Sequence, residues 1–138
     1  MKSKKSKTAR KYFLFDCDDF ILGRMSTRAA FLLQGKHKPD YLPNDDRGDF
    51  VVVVNSDKVR VTGNKKEKKM YHSFSGYPGG ITSRTLKDKI KLDSREIIFA
   101  SVYGMLPKNK LRDRMMKRLL VFKDKEHGLK EKMEAVNN

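Results

Sequence analysis

The residues best suited to chemistry in this chain are its lysines and arginines, because they come in runs that few neighbouring acids cancel. Residues 1–11 hold six bases and no acid, residues 58–69 six bases and one acid, and residues 108–118 again six bases and one acid. Residues 12–50 carry five bases against seven acids, so the excess is local. Such runs neutralise phosphates and release their condensed counterions, which favours binding to a polyanion whatever its sequence. Residues 123–134, with four bases and four acids, compensate themselves and read as a solvated segment.

No catalytic constellation stands out beside these runs. Asp45, Asp46 and Asp49 cluster ahead of an apolar stretch, where parallel-sheet enzymes often carry carboxylates, but a turn with ion pairs to Arg47 explains them better. Thr62-Gly63-Asn64-Lys65-Lys66 starts like a phosphate loop and lacks its second glycine and its Lys-Ser or Lys-Thr pair. His37, His72 and His127 are far apart and have no paired metal-ligand spacing, so neither metal nor cofactor is expected. Cys17 is the only cysteine, which excludes an internal disulfide and a multi-cysteine zinc site; a buried, inert thiol is expected.

These residues need a scaffold, and 138 residues suffice for one domain around one core. Hydrophobic residues make up 38% and charged residues 36%, with a formal charge of +15 and a pI near 10.0. That balance calls for a polyanionic partner. An anionic membrane is the other polyanion, but no apolar run approaches the ~20 residues of a membrane span. Tyr12 to Phe15 is too short for the core of a secretory signal, so a cytoplasmic location is expected.

The coarse elements form an alternating pattern. Tyr12 to Asp16 and the β-branched run Phe50 to Val54 read as strands, the second buried on both faces. Between them Met25, Ala29, Leu32 and Leu33 share one helical face, and Gly35 stands where a helix cap belongs. Val59 to Val61 reads as another short strand, and Ser75 to Gly80 has too many turn formers for a regular element. Thr82 to Leu92 reads as a helix. Asp93 or Ser94 caps a further one running to about Tyr103 and stopped by Gly104 and Pro107. Leu111 to Leu119 is expected as a helix carrying Arg114, Lys117 and Arg118 outward, and Leu119 to Phe122 as the last strand. Buried strands alternating with helices imply a mostly parallel sheet covered on both faces.

The order of motifs resembles the universal ribosomal protein family thirteen of the large subunit. The resemblance starts at Tyr12 to Asp16. It continues through Leu22-Gly23-Arg24, Gly35-Lys36-His37-Lys38-Pro39, Gly48-Asp49 and Val61-Thr62-Gly63-Asn64-Lys65. Gly76-Tyr77-Pro78-Gly79-Gly80, the string Gly104-Met105-Leu106-Pro107-Lys108-Asn109-Lys110-Leu111, and Glu126-His127 extend it over about residues 12–127. It implies an α/β fold, a three-layer α/β/α domain with a mainly parallel four-stranded central sheet. A basic arm (1–11), a single RNA-binding domain (12–127) and a charged tail (128–138) are expected.

The resemblance further implies a structural, non-enzymatic constituent of the large ribosomal subunit. It would bind large-subunit ribosomal RNA beside neighbouring ribosomal proteins and support early assembly. No membrane and no small-molecule substrate is expected as a partner. The residues expected to face RNA are Arg24, Lys36, His37 and Lys38; Lys65, Lys66, Lys68 and Lys69; Gly76, Tyr77, Gly79 and Gly80; and Lys108, Lys110, Arg112 and Arg114. Tyr77 is suited to stacking on a base, and the glycines around it to close backbone approach. This chain departs from the family pattern in four places. Tyr12 stands where relatives have Trp, Tyr103 where a basic residue is common, and Arg112-Asp113 where Gly-Arg is usual, which shifts that contact to Arg114. Gly128 and the Lys-Glu-rich end depart from the family's usual tail and leave the last ten residues without an assigned role. An RNA-modifying enzyme and a messenger-RNA-binding regulator are the alternatives. The first needs a cofactor loop or a convergent acid and base set.

Overall fold

The computed structural model describes residues 9–137. Most of the basic arm, residues 1–8, therefore lies outside the described residues, as does residue 138. The main sheet has four parallel strands in the order β5-β2-β1-β6: β1 (Tyr12–Asp16), β2 (Phe50–Val54), β5 (Leu119–Val121) and β6 (Met133–Ala135). Register runs Tyr12 opposite Phe50 through Asp16 opposite Val54, and Val51 opposite Leu119 through Val53 opposite Val121. A four-stranded parallel sheet flanked by helices agrees with a three-layer α/β/α domain.

Strand β2 earns its central place by composition. Four consecutive valines are β-branched, fit a pleated surface and have no polar side chain to keep wet. Val51 and Val53 face the main core, where Phe15, Phe20, Met25, Leu33, Ile97 and Ile98 are at most 1% exposed. Val52 and Val54 are buried on the other face, and at the edge of that face Tyr12 stacks on Phe50 with ring centroids 4.5 Å apart.

Helix α1 (Leu22–Gln34) lies along the expected face, with Met25, Ala29 and Leu33 buried and Leu32 at the margin. It ends at Gly35, whose φ of +79° is open to glycine without strain. The N–H groups of Gly35 and Lys36 there close onto the carbonyls of Leu32 and Phe31. Gly48 meets a different demand: a Cβ there would lie 1.7 Å from the Leu33 carbonyl oxygen, so only glycine lets the chain enter β2 against the end of α1.

Four local expectations are corrected. Val59 to Val61 is not a strand; a single parallel bridge joins Arg60 to Ile21. Thr82 to Leu92 is half strand: β3 (Met70–Phe74) and β4 (Ile81–Thr85) form an antiparallel hairpin, and α3 (Leu86–Met105) starts only after it. Thr85 caps α3, accepting from the Asp88 N–H and donating to the Asp88 carboxylate. Leu119 to Phe122 is not the last strand, because Met133–Ala135 pairs with β1 at the far edge. Finally, α4 (Arg112–Met116) turns Arg118 inward, at 4% exposure, instead of outward. The expected helix break at Asp93 and Ser94 is present, as non-helical backbone at Asp93 inside α3.

Candidate nucleic-acid interface

The three conspicuous carboxylates lie ahead of β2, at the amino ends of the strands, and each one engages neighbouring cations. Asp49 is fully buried and accepts from the Lys11 N–H (3.1 Å), Lys38 Nζ (2.6 Å) and His37 Nε2 (2.6 Å). Asp46 takes two hydrogen bonds of 2.6 Å from the Arg118 guanidinium, which also donates to the Leu33 carbonyl. Arg47 pairs with Asp45 and Asp40, and those carboxylates raise its already high pKa. A planar guanidinium matched to a carboxylate is the strong form of ion pair. These contacts fasten the ends of α1, β2 and β5 together. Small ligands in open α/β sheets bind outside the carboxyl ends of strands, the opposite side. The cluster is a structural clasp.

At those carboxyl ends, Asp16 accepts from the Asn55 amide (2.9 Å) and tightens the exits of β1 and β2. Cys17, next in line, is fully buried, and burial pushes its thiol up to about 12, so it is protonated and unreactive at neutral pH. Among the described residues no group of His, Cys, Asp or Glu clusters to hold a metal, and no helix is long and apolar enough to cross a membrane.

The expected RNA-facing residues fall into separate places. His37 and Lys38 are half-buried on Asp49, so they shape the loop after α1, while Lys36 beside them is exposed. Arg24 is exposed on the first turn of α1. Lys65, Lys66 and Lys68 are exposed on the short helix α2 (Lys65–Lys68), and Lys69 follows at its end. This helix leads directly into the hairpin, whose turn holds Gly76, Tyr77, Gly79 and Gly80, with Tyr77 75% exposed. Gly76 and Gly79 have φ of +87° and +73°, conformations that favour glycine.

Lys108 and Lys110 project from the loop after α3, and Arg114 from α4. Arg112 is half-buried, its guanidinium 3.7 Å from the Tyr103 ring centre and hydrogen-bonded to the Tyr103 hydroxyl. Two of the sequence's departures from the family pattern thus touch each other. Helix α3, kinked at Asp93, lies in the chain between the hairpin group and the 108–114 group.

Sequence comparison decides what such a chain is. The family described as ribosomal protein L13 matches residues 10–128. The chain belongs to this family. Its members are structural proteins of the ribosome, not enzymes. Among curated relatives, "Large ribosomal subunit protein uL13" of Geobacter sulfurreducens is 48% identical over 125 residues, covering 91% of this chain and 87% of that protein. The protein of the same name from Trichlorobacter lovleyi is 46% identical, covering 91% and 88%. That of Thermotoga petrophila is 44% identical over 124 residues, covering 90% and 83%.

Membership of the L13 family gives the exposed cations a common context. Sequence reasoning missed the groups that hold the charged loops: Asp49 behind His37 and Lys38, Asp46 against Arg118, and Tyr103 under Arg112. Gly48-Asp49 was legible as a motif, but its partners lie 11 to 38 residues away in sequence.

Proposed function

We propose that this protein is a structural constituent of the large ribosomal subunit that binds large-subunit ribosomal RNA directly and supports early assembly. The observation that carries this reading is the separation of charge. The acids at the amino ends of β1, β2 and β5 are consumed in internal pairs, whereas Lys36, Lys65, Lys66, Lys68, Lys108, Lys110 and Arg114 project as exposed cations from loops and short helices. Cations displayed around a rigid block suit a folded RNA whose phosphates approach from several sides, and they read no base sequence. In this reading Tyr77 stacks on an unpaired base while Gly76, Gly79 and Gly80 admit the RNA backbone. Arg24 supplies a further phosphate contact, and Arg112, fixed on Tyr103, presents its remaining donors. Neighbouring ribosomal proteins are the second class of partner, for which the exposed apolar side chains of the hairpin are suited.

The test compares two triple variants in binding to a large-subunit RNA fragment over a range of salt. Changing Lys108, Lys110 and Arg114 to Gln is expected to lower the logarithmic salt slope by roughly two to three, at about 0.7 to 0.9 per phosphate. The same change at Lys125, Lys130 and Lys132, in the charge-balanced segment, is expected to have much less effect. Equal losses would mean that net charge alone governs binding and would remove the assigned contacts.

A further inference from the structure

The β3–β4 hairpin is inverted relative to an ordinary surface hairpin. Met70 pairs with Thr85, His72 with Ser83 and Phe74 with Ile81, so these residues share one face; Tyr71 with Arg84 and Ser73 with Thr82 share the other. The face bearing Phe74 and Ile81 is open, at 66% and 67% exposure. The face turned toward α3 is polar and, apart from Tyr71, buries no apolar side chain. Between that face and α3 lies a cleft of about 280 Å³ lined by Tyr71, Ser73, Thr82, Arg84, Lys89 and Glu96, with His72 at its margin.

The floor of this cleft is charged and held in place. Lys89 Nζ lies 4.8 Å and Lys69 Nζ 5.3 Å from the centre of the Tyr71 ring. Stacking on the ring face restrains both flexible side chains, so a ligand in the cleft meets an ordered Lys89 and loses less freedom on binding. Arg84 stands opposite Tyr71 across the hairpin. The single acid in the lining, Glu96, pairs with Lys89 at 3.6 Å, which leaves an excess of one positive charge among Arg84, Lys89 and Glu96. Ser73 and Thr82 add hydroxyls that donate or accept. A typical organic-ligand pocket is larger, about 300 to 1,000 Å³, and mostly apolar. The dimensions and lining here instead suit one phosphate with its sugar.

We infer that this cleft is a slot for a single phosphodiester of the RNA strand, gripped by Arg84 and Lys89 with Ser73 and Thr82 on the ribose side. The inference rests on the RNA-binding reading above and adds a site outside the loops already assigned. One phosphate held by two cations has a distinctive signature. Arg84→Gln and the double variant Arg84→Gln, Lys89→Gln should each lose at most the salt slope of one phosphate, about 0.7 to 0.9, because both cations neutralise the same phosphate.

The experiment uses the full chain and a large-subunit RNA fragment, with circular dichroism verifying the fold of each variant. Tyr71→Leu, which removes no charge, is expected to weaken binding about threefold to tenfold by freeing Lys89, and Tyr71→Phe to restore it. A double-variant slope loss near twice that of one phosphate would show independent surface charges and overturn the slot. Unchanged binding by all variants, with the wild type bound, would overturn the slot alone; a wild type that fails to bind overturns the RNA reading as well. A third arm titrates adenosine monophosphate and inorganic phosphate while the ring signals of Tyr71 are followed by nuclear magnetic resonance. Saturation by either at micromolar concentration would make this a site for free phosphate esters and overturn its assignment to RNA; weak millimolar shifts are the expected result.

Discussion

In the parallel sheet Phe15, Val51, Val52 and Val53 have no solvent exposure, whereas in the hairpin Phe74 and Ile81 keep two-thirds of theirs. Both regions use aromatic and β-branched residues in extended backbone, yet only the sheet is closed by helices. Apolar area stabilises a fold only when it leaves water, at about 25 cal/mol per Å². The sheet therefore carries the stability of the free protein, and the outer face of the hairpin contributes only when something covers it. An exposed face of this kind sits on a scaffold whose own stability does not depend on it.

The largest expected contrast tests this division directly. Phe15→Ala empties a fully buried site and should cost about 3 to 5 kcal/mol in urea unfolding, while Phe74→Ala should stay within about 0.5 kcal/mol. A comparable loss at Phe74 would show that the hairpin face is packed in the free protein, and the comparison would break.

A second contrast replaces apolar packing by polar pairing. Asp46→Ala leaves Arg118, 4% exposed, without its carboxylate, and stranding a buried charge typically costs about 3 to 5 kcal/mol; the lower end is expected because the Leu33 carbonyl still accepts from Arg118. In the hairpin, Ser83→Ala removes the 2.7 Å partner of His72, but both groups are exposed and water replaces it, so the change should fall within about 0.5 kcal/mol. Calorimetric or urea unfolding of the two variants decides. Near-neutral behaviour of Asp46→Ala would mean that Arg118 escapes to solvent and that the clasp does not hold the strand ends.

The same division explains what was legible in the sequence. Strand β2 and helix α1 were readable because their patterns answer to a core: four valines buried on both faces, and Met25, Ala29 and Leu33 on one stripe ended by Gly35. The hairpin was not, because its inner face is polar and its outer face apolar, so no alternation pointed toward a core. Its available signal was the Ser75 to Gly80 turn flanked by Tyr71 and Phe74 on one side and Ile81, Thr82 and Thr85 on the other. Strand β6 was hidden for a related reason. Met133–Ala135 is short and mostly exposed, and its place depends on β1 and on the Lys11 to Glu134 ion pair (2.9 Å), 123 residues apart in sequence. Among the candidate site residues, Lys65, Lys66, Lys68, Lys69, Lys108 and Lys110 lie in runs that charge counting picks out, whereas Lys36 came from the Gly35 to Pro39 string. The inward commitment of His37, Lys38 and Arg112 depends on partners that only the fold brings near.

The smallest effect expected concerns acid. Residues 70–85 contain no carboxylate, so acid titration of Asp and Glu within the hairpin cannot alter its stability, whereas the sheet has Asp16 at the exit of β1. Partial burial pushes the Asp16 carboxyl up, but hydrogen bonds from the Asn55 amide and the Asp18 N–H, with the charges of Lys125 and Lys58, outweigh it and hold the group below its usual value. A folded-state value below the unfolded one means that ionised Asp16 favours the native state. That contribution is complete above the ordinary carboxylate range near pH 4 and is lost as pH falls through the depressed folded value. Asp16→Asn should therefore unfold at lower urea than the wild type at pH 7, and the two midpoints should converge toward pH 2 to 3. The gap should be modest, because the group is partly solvated and its lysine partners are screened by salt. A gap independent of pH would show that the amide simply packs less well beside Asn55, with no contribution from charge. A gap that widened on acidification would reverse the sign of the linkage and place the stabilising form of Asp16 in its protonated state.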